Sequence, residues 1–458
     1  MTLTIYLVYA LIFSVSIFRV YEPIVNAETS EQSIDRFWGE ESSGDDVVLL
    51  DDGHHAAIAR INLIEQAKNS IQIAYYTVQK GVIADAIFSS IIGAADRGVE
   101  VEVLLDGIFH NLRGSMKDIV YAFTQHPNIE LKYYEPLNLL TPWTWNNRLH
   151  DKLMIIDQEY AIIGGRNLAD KYFIQEKSED AVKDRDVLIM NTNQQSSDIS
   201  VIPQMKTYFA ALWDHDFSKP AIKKLSKRQE QKGENHAIQL LADRNQLAID
   251  FPHMFNQEIN WEELSIPTNK ISFIHNPIQR MNKEPWILSE ITKLLATVEN
   301  SFIIESPYII PTKSMLQHFD DITLSGKNGT IMTNSVASTP NPLAYSGHIK
   351  HTNKMKNNGL DLIEYEGPDS VHGKTYIFDH RLSMIGSFNL DARSSFLSTE
   401  SMVVIDSPAF ADHLNEAMEM RFTENNHTAE KEIHHGPFLK TLFLRVLSYV
   451  TALYQHLL

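Results

Sequence analysis

Two stretches decide the reading of this chain: HDKLMIIDQEYAIIGGRN, from His150 to Asn167, and HGKTYIFDHRLSMIGSFN, from His372 to Asn389. Both open His-x-Lys, reach an aspartate at a fixed spacing (Asp157, Asp379) and close on Gly-x-x-Asn. Side chains alternate along a strand, so His150 and Lys152 project to one side, as do His372 and Lys374. Apolar residues follow, the aspartate marks a turn, and a return strand (Tyr160 to Ile163; Leu382 to Ile385) leads into Gly164-Gly165-Arg166-Asn167 or Gly386-Ser387-Phe388-Asn389. Each unit reads as a hairpin that delivers an imidazole, an ammonium and an amide to one end of a sheet. The two copies can converge on one anion.

Around the hairpins the chain repeats a common order of elements. A helical run (Ala56 to Lys68; Trp286 to Val298) precedes an apolar strand (Ser70 to Val78; Ser301 to Ile310). A second helix (Val82 to Asp96; Met315 to Thr323) precedes another strand (Val99 to Leu105; Thr330 to Asn334), and a third strand (Ile129 to Tyr134; Leu360 to Tyr365) leads to the motif. Alternating helices and strands predict an α/β fold of two pseudo-symmetric halves, each a mixed sheet flanked by helices, with the active site at their interface. The first half is placed at 45–218 and the second at 271–436, with a charged linker or surface excursion at 219–270.

The chain has 458 residues, a formal net charge of −18 and no cysteine. It is long enough for two ordinary cores. The acidic balance argues against nucleic acid as a partner, because such binders present a basic field. Without cysteine there is no disulfide framework, thiolate nucleophile or thiolate metal site. Residues 1–27 carry an apolar run, MTLTIYLVYALIFSVSIF, short for a membrane span and close to a signal-peptide core, with Val25-Asn26-Ala27 as a cleavage-like site. No basic residue precedes that run, which leaves a membrane anchor or a buried helix as alternatives. The expected location is exported, periplasmic or secreted, or membrane-associated. Residues 437–458 form an apolar helix suited either to docking on the protein or to a membrane interface.

The paired motifs resemble the signature of the phospholipase D superfamily. GSFNLDARSSFLSTE, Gly386 to Glu400, is similar to the corresponding run of the bacterial cardiolipin synthase C type, and SIQIAYYTV, AADRGVEVEVLLDG, GGRNLADKYF, SFIIESPYIIPT and TNSVAST agree in order. The chain departs from that type at Tyr345, where a histidine is usual, and at Ser398, where asparagine is usual. The resemblance implies cleavage of a membrane glycerophospholipid through a phosphohistidine, with transfer of the phosphatidyl group to a small alcohol or a lipid headgroup. Water as acceptor would make the protein a hydrolytic phospholipase D, and an endonuclease or other phosphodiesterase is the more distant alternative. His150 is implied as nucleophile and His372 as acid.

The residue chemistry is compatible. The catalytic set is His150, Lys152, Asp157, His372, Lys374 and Asp379, with the two aspartates expected to brace their hairpins. Lys152, Lys374, Asn167, Asn389 and Ser387 are expected to hold phosphate oxygens. A histidine nucleophile needs its second ring nitrogen held by an acceptor. Glu400 is expected to support His372, by its place in the family pattern, and Asp184 or Asp186 to support His150. The scheme calls for no metal and no cofactor, and nothing in the pattern fixes an oligomeric state. His150→Ala and His372→Ala should each lower phosphodiester turnover by at least roughly 10²-fold with the fold retained, as circular dichroism and steady-state rates will check. A folded variant that keeps more than about a tenth of the rate contradicts the two-histidine scheme.

Overall fold

The computed structural model describes residues 3–20, 32–174, 180–192, 200–255, 259–317, 327–339, 341–348, 360–426, 438–451 and 454–458. The first half supplies β1 (Asp45–Leu50), β2 (Ser70–Tyr75), β3 (Glu100–Asp106), β4 (Ile129–Tyr134), β5 (Lys152–Ile156), β6 (Tyr160–Gly164), β7 (Val182–Lys183), β8 (Asp186–Asn191), β9 (Ser218–Pro220) and β10 (Ile266–Pro267). The second supplies β11 (Lys270–His275), β12 (Ser301–Glu305), β13 (Ile309–Ile310), β14 (Asn328–Asn334), β15 (Asp361–Tyr365), β16 (Ser370–Val371), β17 (Thr375–Phe378), β18 (Leu382–Gly386), β19 (Leu390–Asp391) and β20 (Ser401–Asp406). One sheet runs β10-β1-β8-β6-β5-β2-β3-β4-β9 and the other β11-β20-β18-β17-β12-β14-β15. Apart from the edge strands β9 and β10, the two orders correspond strand for strand. In each, three parallel strands (β2, β3, β4; β12, β14, β15) adjoin an antiparallel hairpin that carries the motif.

The parallel portion of the first sheet is covered by helices Gly53–Gln66, Val82–Asp96 and Lys117–Gln125, and β12 of the second follows helix Trp286–Thr297. The expected strand Ser301 to Ile310 is broken into β12 and β13, and the expected helix from Met315 is described only as Lys313–Gln317. Both motif hairpins turn through two residues of positive φ, Asp157 (53°) with Gln158 (63°) and Asp379 (49°) with His380 (53°). That is the mirror-image turn whose twist matches paired strands. The aspartates hold this geometry: Asp157 accepts from the backbone N–H of Lys68, Asn69 and Ser70 at 2.7–2.9 Å, and Asp379 from Glu299, Asn300 and Ser301 at 2.7–2.9 Å. Their role is to tie each hairpin to the start of β2 or β12.

The two sheets share a dry core in which Leu153, Ile163 and Val187 of the first half pack in one cluster with Ile377, Ile385 and Val403 of the second. Burying such side chains is worth about 1.5–3 kcal/mol each. Beside this core runs a polar bridge. Arg185 donates to Asp51 at 2.8 Å and to Glu305 at 2.9 Å, and Arg421 closes the circuit to the same two carboxylates. Asp51 and Arg185 belong to the first half, Glu305 and Arg421 to the second.

The segment read as a linker is more ordered than its composition implied. Helix Lys227–Asp250 occupies its centre, opened by a capping box between Ser226 and Gln229. Only Gly233 and Leu240 of this helix are buried, the former against the backbone of Tyr121 and Ala122, while Arg244 pairs with Glu65. A contact stripe that narrow leaves little periodicity to read. At the other end of the chain, helix Phe438–Thr451 docks through Leu444, Ser448 and Thr451 and leaves Phe443, Val446 and Tyr449 exposed. The N-terminal apolar run forms helix Leu3–Leu11, a wide turn Ile12–Ser16 and a further turn to Val20. It lies along residues 137–146: Tyr6 donates to the carbonyl of Leu139 at 3.1 Å, Tyr9 to that of Leu140 at 2.6 Å, and Asn146 to that of Ser14 at 2.6 Å. The cleavage-like Val25-Asn26-Ala27 lies outside the described residues. Among the described residues no helix is long and apolar enough to cross a membrane.

Replacing Arg185 by Met should lower unfolding free energy by about 1.5–3 kcal/mol, because the buried Glu305 and the half-buried Asp51 keep Arg421 but each lose a second charged hydrogen bond. Urea denaturation of the variant will check this, and a loss below about 1 kcal/mol would show the bridge to be dispensable.

Candidate active site

The backbone register explains how the site assembles. Short strand β7 pairs in parallel with β16, Val182 opposite Ser370 and Lys183 opposite Val371. The next residues in each, Asp184 and His372, therefore stand abreast, and the His372 N–H donates to the Lys183 carbonyl at 2.7 Å. The second crossing repeats the first with the halves exchanged. Leu149 bridges Thr399 in parallel, so His150 and Glu400 stand abreast, and the His150 N–H approaches the Thr399 carbonyl at 3.3 Å.

Each histidine is consequently held by the acid of the other half. His150 Nδ1 lies 2.8 and 3.0 Å from the two oxygens of Glu400, and His372 Nδ1 lies 2.6 Å from Asp184 Oδ2. This reverses the expected pairing, in which Glu400 served His372 and an aspartate of the first half served His150. Sequence proximity favoured acids within the same half, whereas the parallel bridges between the halves decide the contacts. Asp186 supports neither histidine: it is wholly buried and accepts from Arg60 at 2.8 Å and Arg166 at 3.1 Å. Gly165 gives Asp184 its room, since a Cβ there would run into the Asp184 carboxylate.

Ser387 also departs from its expected part. It is fully buried and its hydroxyl donates to Glu400 Oε2 at 2.5 Å, so it orients the acid and does not face substrate. Asn167 and Asn389 both line the cleft with His150 and His372. Asn167 donates to the Tyr172 hydroxyl at 3.2 Å, and the side-chain oxygens of both asparagines are buried without a protein partner. Both lysines are buried, and each Nζ donates to the carbonyl of its own histidine, Lys152 to His150 and Lys374 to His372. Tyr76 packs edge-on against His150, with ring centres 5.0 Å apart, and Tyr172 against His372 at 5.7 Å. These tyrosines lie inside stretches noted in the sequence, but their contacts depend on tertiary packing that periodicity does not encode.

The cleft has a volume of about 610 Å³ and is walled by Tyr76, Phe109, Trp145, Tyr172 and Tyr308. Inside it, burial and crowded cations govern protonation. Burial, reinforced by Lys152 and Lys374, holds His150 well below the ordinary histidine value, and burial with Lys374 brings His372 down to about 4. Burial likewise lowers Lys152 to about 7 and Lys374 to about 8, against the pull of the nearby carboxylates. The acids diverge. Burial pushes Glu400 up to about 7 despite Lys152 and Ser387. Burial acts upward on Asp184 as well, but Lys374 and His372 outweigh it and hold that carboxyl at about 2. An arriving phosphodiester anion raises the pKa of every cation it touches, so substrate itself restores charge to the lysines. Among the described residues no group of three or more His, Asp or Glu could hold a metal ion.

Two imidazoles, each fixed at Nδ1 by a carboxylate and each paired with a buried lysine in one cleft between duplicated halves, define a phosphodiester-processing enzyme of the phospholipase D kind. The chain belongs to the family described as "Cardiolipin synthase, PLD-like domain", matched over residues 60–213 and 291–422. A protein of Helicobacter pylori is 28% identical over 398 residues, covering 80% of this chain and 76% of the relative. Cardiolipin synthase C of Escherichia coli is 25% identical over 414 residues, covering 82% and 83%. The crystal structure of phosphatidylserine synthase from Haemophilus influenzae has the same fold, with a TM-score of 0.63 at 16% identity, covering 95% of this chain and 100% of that one. The general chemistry this supports is transfer or hydrolysis of a phosphatidyl group by the phospholipase D route.

The pairing of His150 with Glu400 sets a pH dependence. With Glu400 ionised, His150 Nδ1–H donates to it and leaves the Nε2 lone pair free; a proton on Glu400 reverses the tautomer. Activity should therefore fall as pH drops through about 7, the value to which burial raises Glu400, as one step of a coupled pair. In Glu400→Gln the carboxamide oxygen accepts from Nδ1 at every pH, so this acidic limb should vanish while the rate falls by roughly 10²- to 10⁴-fold. A kcat/KM profile that keeps the limb in the variant would assign it to another group.

Proposed function

We propose that the protein is a phosphatidyltransferase similar to the cardiolipin synthases, working on membrane glycerophospholipids through a phosphohistidine at His150. The observation that carries this reading is the crossed pair of acid-held imidazoles facing one cleft, together with the apolar character of its surroundings. Phe109 and Leu343 line the cleft and are 43% and 40% exposed. Trp145 of the wall donates to the carbonyl of Asn138 at 2.8 Å, beside Leu139 and Leu140, which are 56% and 77% exposed. The N-terminal helix that rests on those leucines turns Leu3, Leu7, Val8 and Leu11 outward. Exposed apolar side chains next to a catalytic mouth suit a substrate that stays embedded in lipid and a membrane-associated protein, and the signal-like run at residues 1–27 adds export to the reading. The likeness to Escherichia coli cardiolipin synthase C points the same way.

The steps balance as follows. His150 Nε2 attacks phosphorus; the N–P bond forms, the P–O bond to the donor's headgroup breaks, and His372, protonated under the influence of substrate, gives its Nε2 proton to the departing oxygen. A second alcohol then loses its proton to His372 Nε2, its oxygen attacks phosphorus, and the P–N bond breaks. Asp184, held ionised, stabilises the His372 imidazolium present before the first transfer and regenerated by the second. Lys152, Lys374 and the motif asparagines receive the charge that builds on the non-bridging oxygens.

Incubating the purified full chain with vesicles of phosphatidylglycerol and phosphatidylethanolamine, followed by mass spectrometry of lipid and water-soluble products, tests the reading. A diphosphatidyl lipid with release of glycerol or ethanolamine is expected. Phosphatidic acid as the sole lipid product would make water the acceptor and the protein a hydrolase. Acid-quench mapping should place the phosphoryl group on His150; a phosphohistidine at His372 would exchange the two roles.

A further inference from the structure

The arginines of the interior are committed to carboxylates or to several carbonyls. Arg60 and Arg166 bind Asp186; Arg148 binds Asp106 and the carbonyls of Glu135 and Thr144; Arg185 and Arg421 bind Asp51 and Glu305. Arg393 differs. It lines the catalytic cleft together with His150, its side chain is partly buried, and its one side-chain hydrogen bond is a long one, from Nη2 to Asn146 Oδ1 at 3.4 Å. Among the described residues it forms no ion pair. Asp391, two residues away, is turned to the backbone N–H of Ser394 at 2.7 Å and does not reach it. The backbone places the residue firmly even so: the Arg393 N–H donates to the Leu458 carbonyl at 2.8 Å, and its own carbonyl accepts from Leu397 and Ser398 at 2.9 Å.

A guanidinium carries five donors in a planar fork suited to phosphate oxygens, and a partly desolvated one with a single weak bond is poised for an anion from outside the protein. The phosphate that reacts already has its own partners, two histidines, two lysines and two asparagines. The cation at Arg393 is therefore surplus to the reacting group. A phospholipid acceptor brings a second anion, because the hydroxyl that attacks is part of a headgroup whose other end is esterified to the acceptor's own phosphate. That phosphate lies one headgroup away from the reacting phosphorus, and Arg393 is a cation that lines the same cleft as the two histidines. Neither water nor a small neutral alcohol brings such a charge.

We propose that Arg393 is the recognition site for the phosphodiester of the acceptor lipid, and so selects a phospholipid over water or a free alcohol at the second step. The inference rests on the transferase reading above and gives it a specificity-determining residue. Near His150, the same positive charge also contributes, behind burial and the two lysines, to keeping that imidazole neutral.

The test is product partitioning in Arg393→Gln and Arg393→Lys, since a ratio of products from one phosphoenzyme is independent of how much protein is active. Vesicles of phosphatidylglycerol supply donor and acceptor, ethanol is added as a neutral competitor, and diphosphatidyl lipid, phosphatidylethanol and phosphatidic acid are quantified together. The ratio of diphosphatidyl lipid to phosphatidic acid should fall on the order of tenfold or more in Arg393→Gln, the scale of one charge-assisted hydrogen bond, and recover in part in Arg393→Lys. The ratio of phosphatidylethanol to phosphatidic acid should hold. An unchanged diphosphatidyl ratio, or an equal fall in both ratios, overturns the assignment to the acceptor phosphate while leaving the transferase reading intact. A wild-type protein that makes only phosphatidic acid removes both.

Discussion

The structure turns on two short parallel contacts between its halves, β7 with β16 and Leu149 with Thr399. Each sets a histidine of one half beside an acid of the other, and neither half holds a complete catalytic pair of its own. The buried circuit of Asp51, Arg185, Glu305 and Arg421 and the common apolar core serve this end, because the acid must stay within hydrogen-bond reach of an imidazole carried on a different sheet. A shift of an ångström between the sheets would release both Nδ1 atoms and with them the reactive tautomers. The close packing at this interface is thus part of the chemistry as well as of the stability.

Within that frame the electrostatics are arranged around an anion that substrate must bring. Two imidazoles and two ammonium groups meet at one buried site; desolvation depresses each of them, and repulsion from neighbouring cations adds to it at His150, His372 and Lys152. The two supporting acids diverge because their surroundings differ. At Glu400 burial outweighs Lys152 and the Ser387 hydrogen bond and raises the carboxyl to about 7, while at Asp184 Lys374 and His372 outweigh burial and keep it ionised. A permanently ionised partner suits the histidine that must carry an extra proton into the first transfer and take one up again in the second. A titratable partner suits the one that needs only a lone pair at Nε2.

Much of this was legible in the residues. The duplicated motif, the strand and helix order and the hairpin braces all follow from period-two and period-three-to-four patterns and from turn chemistry, which are local. Helix Val82–Asp96 and strand Ile129–Tyr134 stand where the pattern puts them. What the sequence does not carry is which half supplies the acid. Asp184 and Glu400 both stand out as candidate acids, but assigning each to a histidine needs the register between segments 188 residues apart in one case and 250 in the other, and no periodicity records that. Ser387 and Asp186 depart from expectation for a related reason: Ser387 lies within the motif and Asp186 shares a strand face with Asp184, yet their side chains point into the protein, toward Glu400 in one case and two arginines in the other. The helix Lys227–Asp250 is not legible in the sequence because its contact stripe is too thin to leave a hydrophobic rhythm.

The crossed acids have a consequence for how such a protein can come to exist. A twofold pair of identical halves, each lending its acid to the other, would build two equivalent histidines and could not tell nucleophile from acid by structure. Joining the copies in one chain breaks that symmetry. The residue between His and Lys is Asp151 in one copy, tied to Tyr208 and Ser401, and Gly373 in the other, where a Cβ would strike Glu305. One acid is a glutamate and the other an aspartate. Fusion allows the two centres to drift apart in character while the geometry that couples them is preserved, so a division of labour can evolve that a symmetric homodimer is denied.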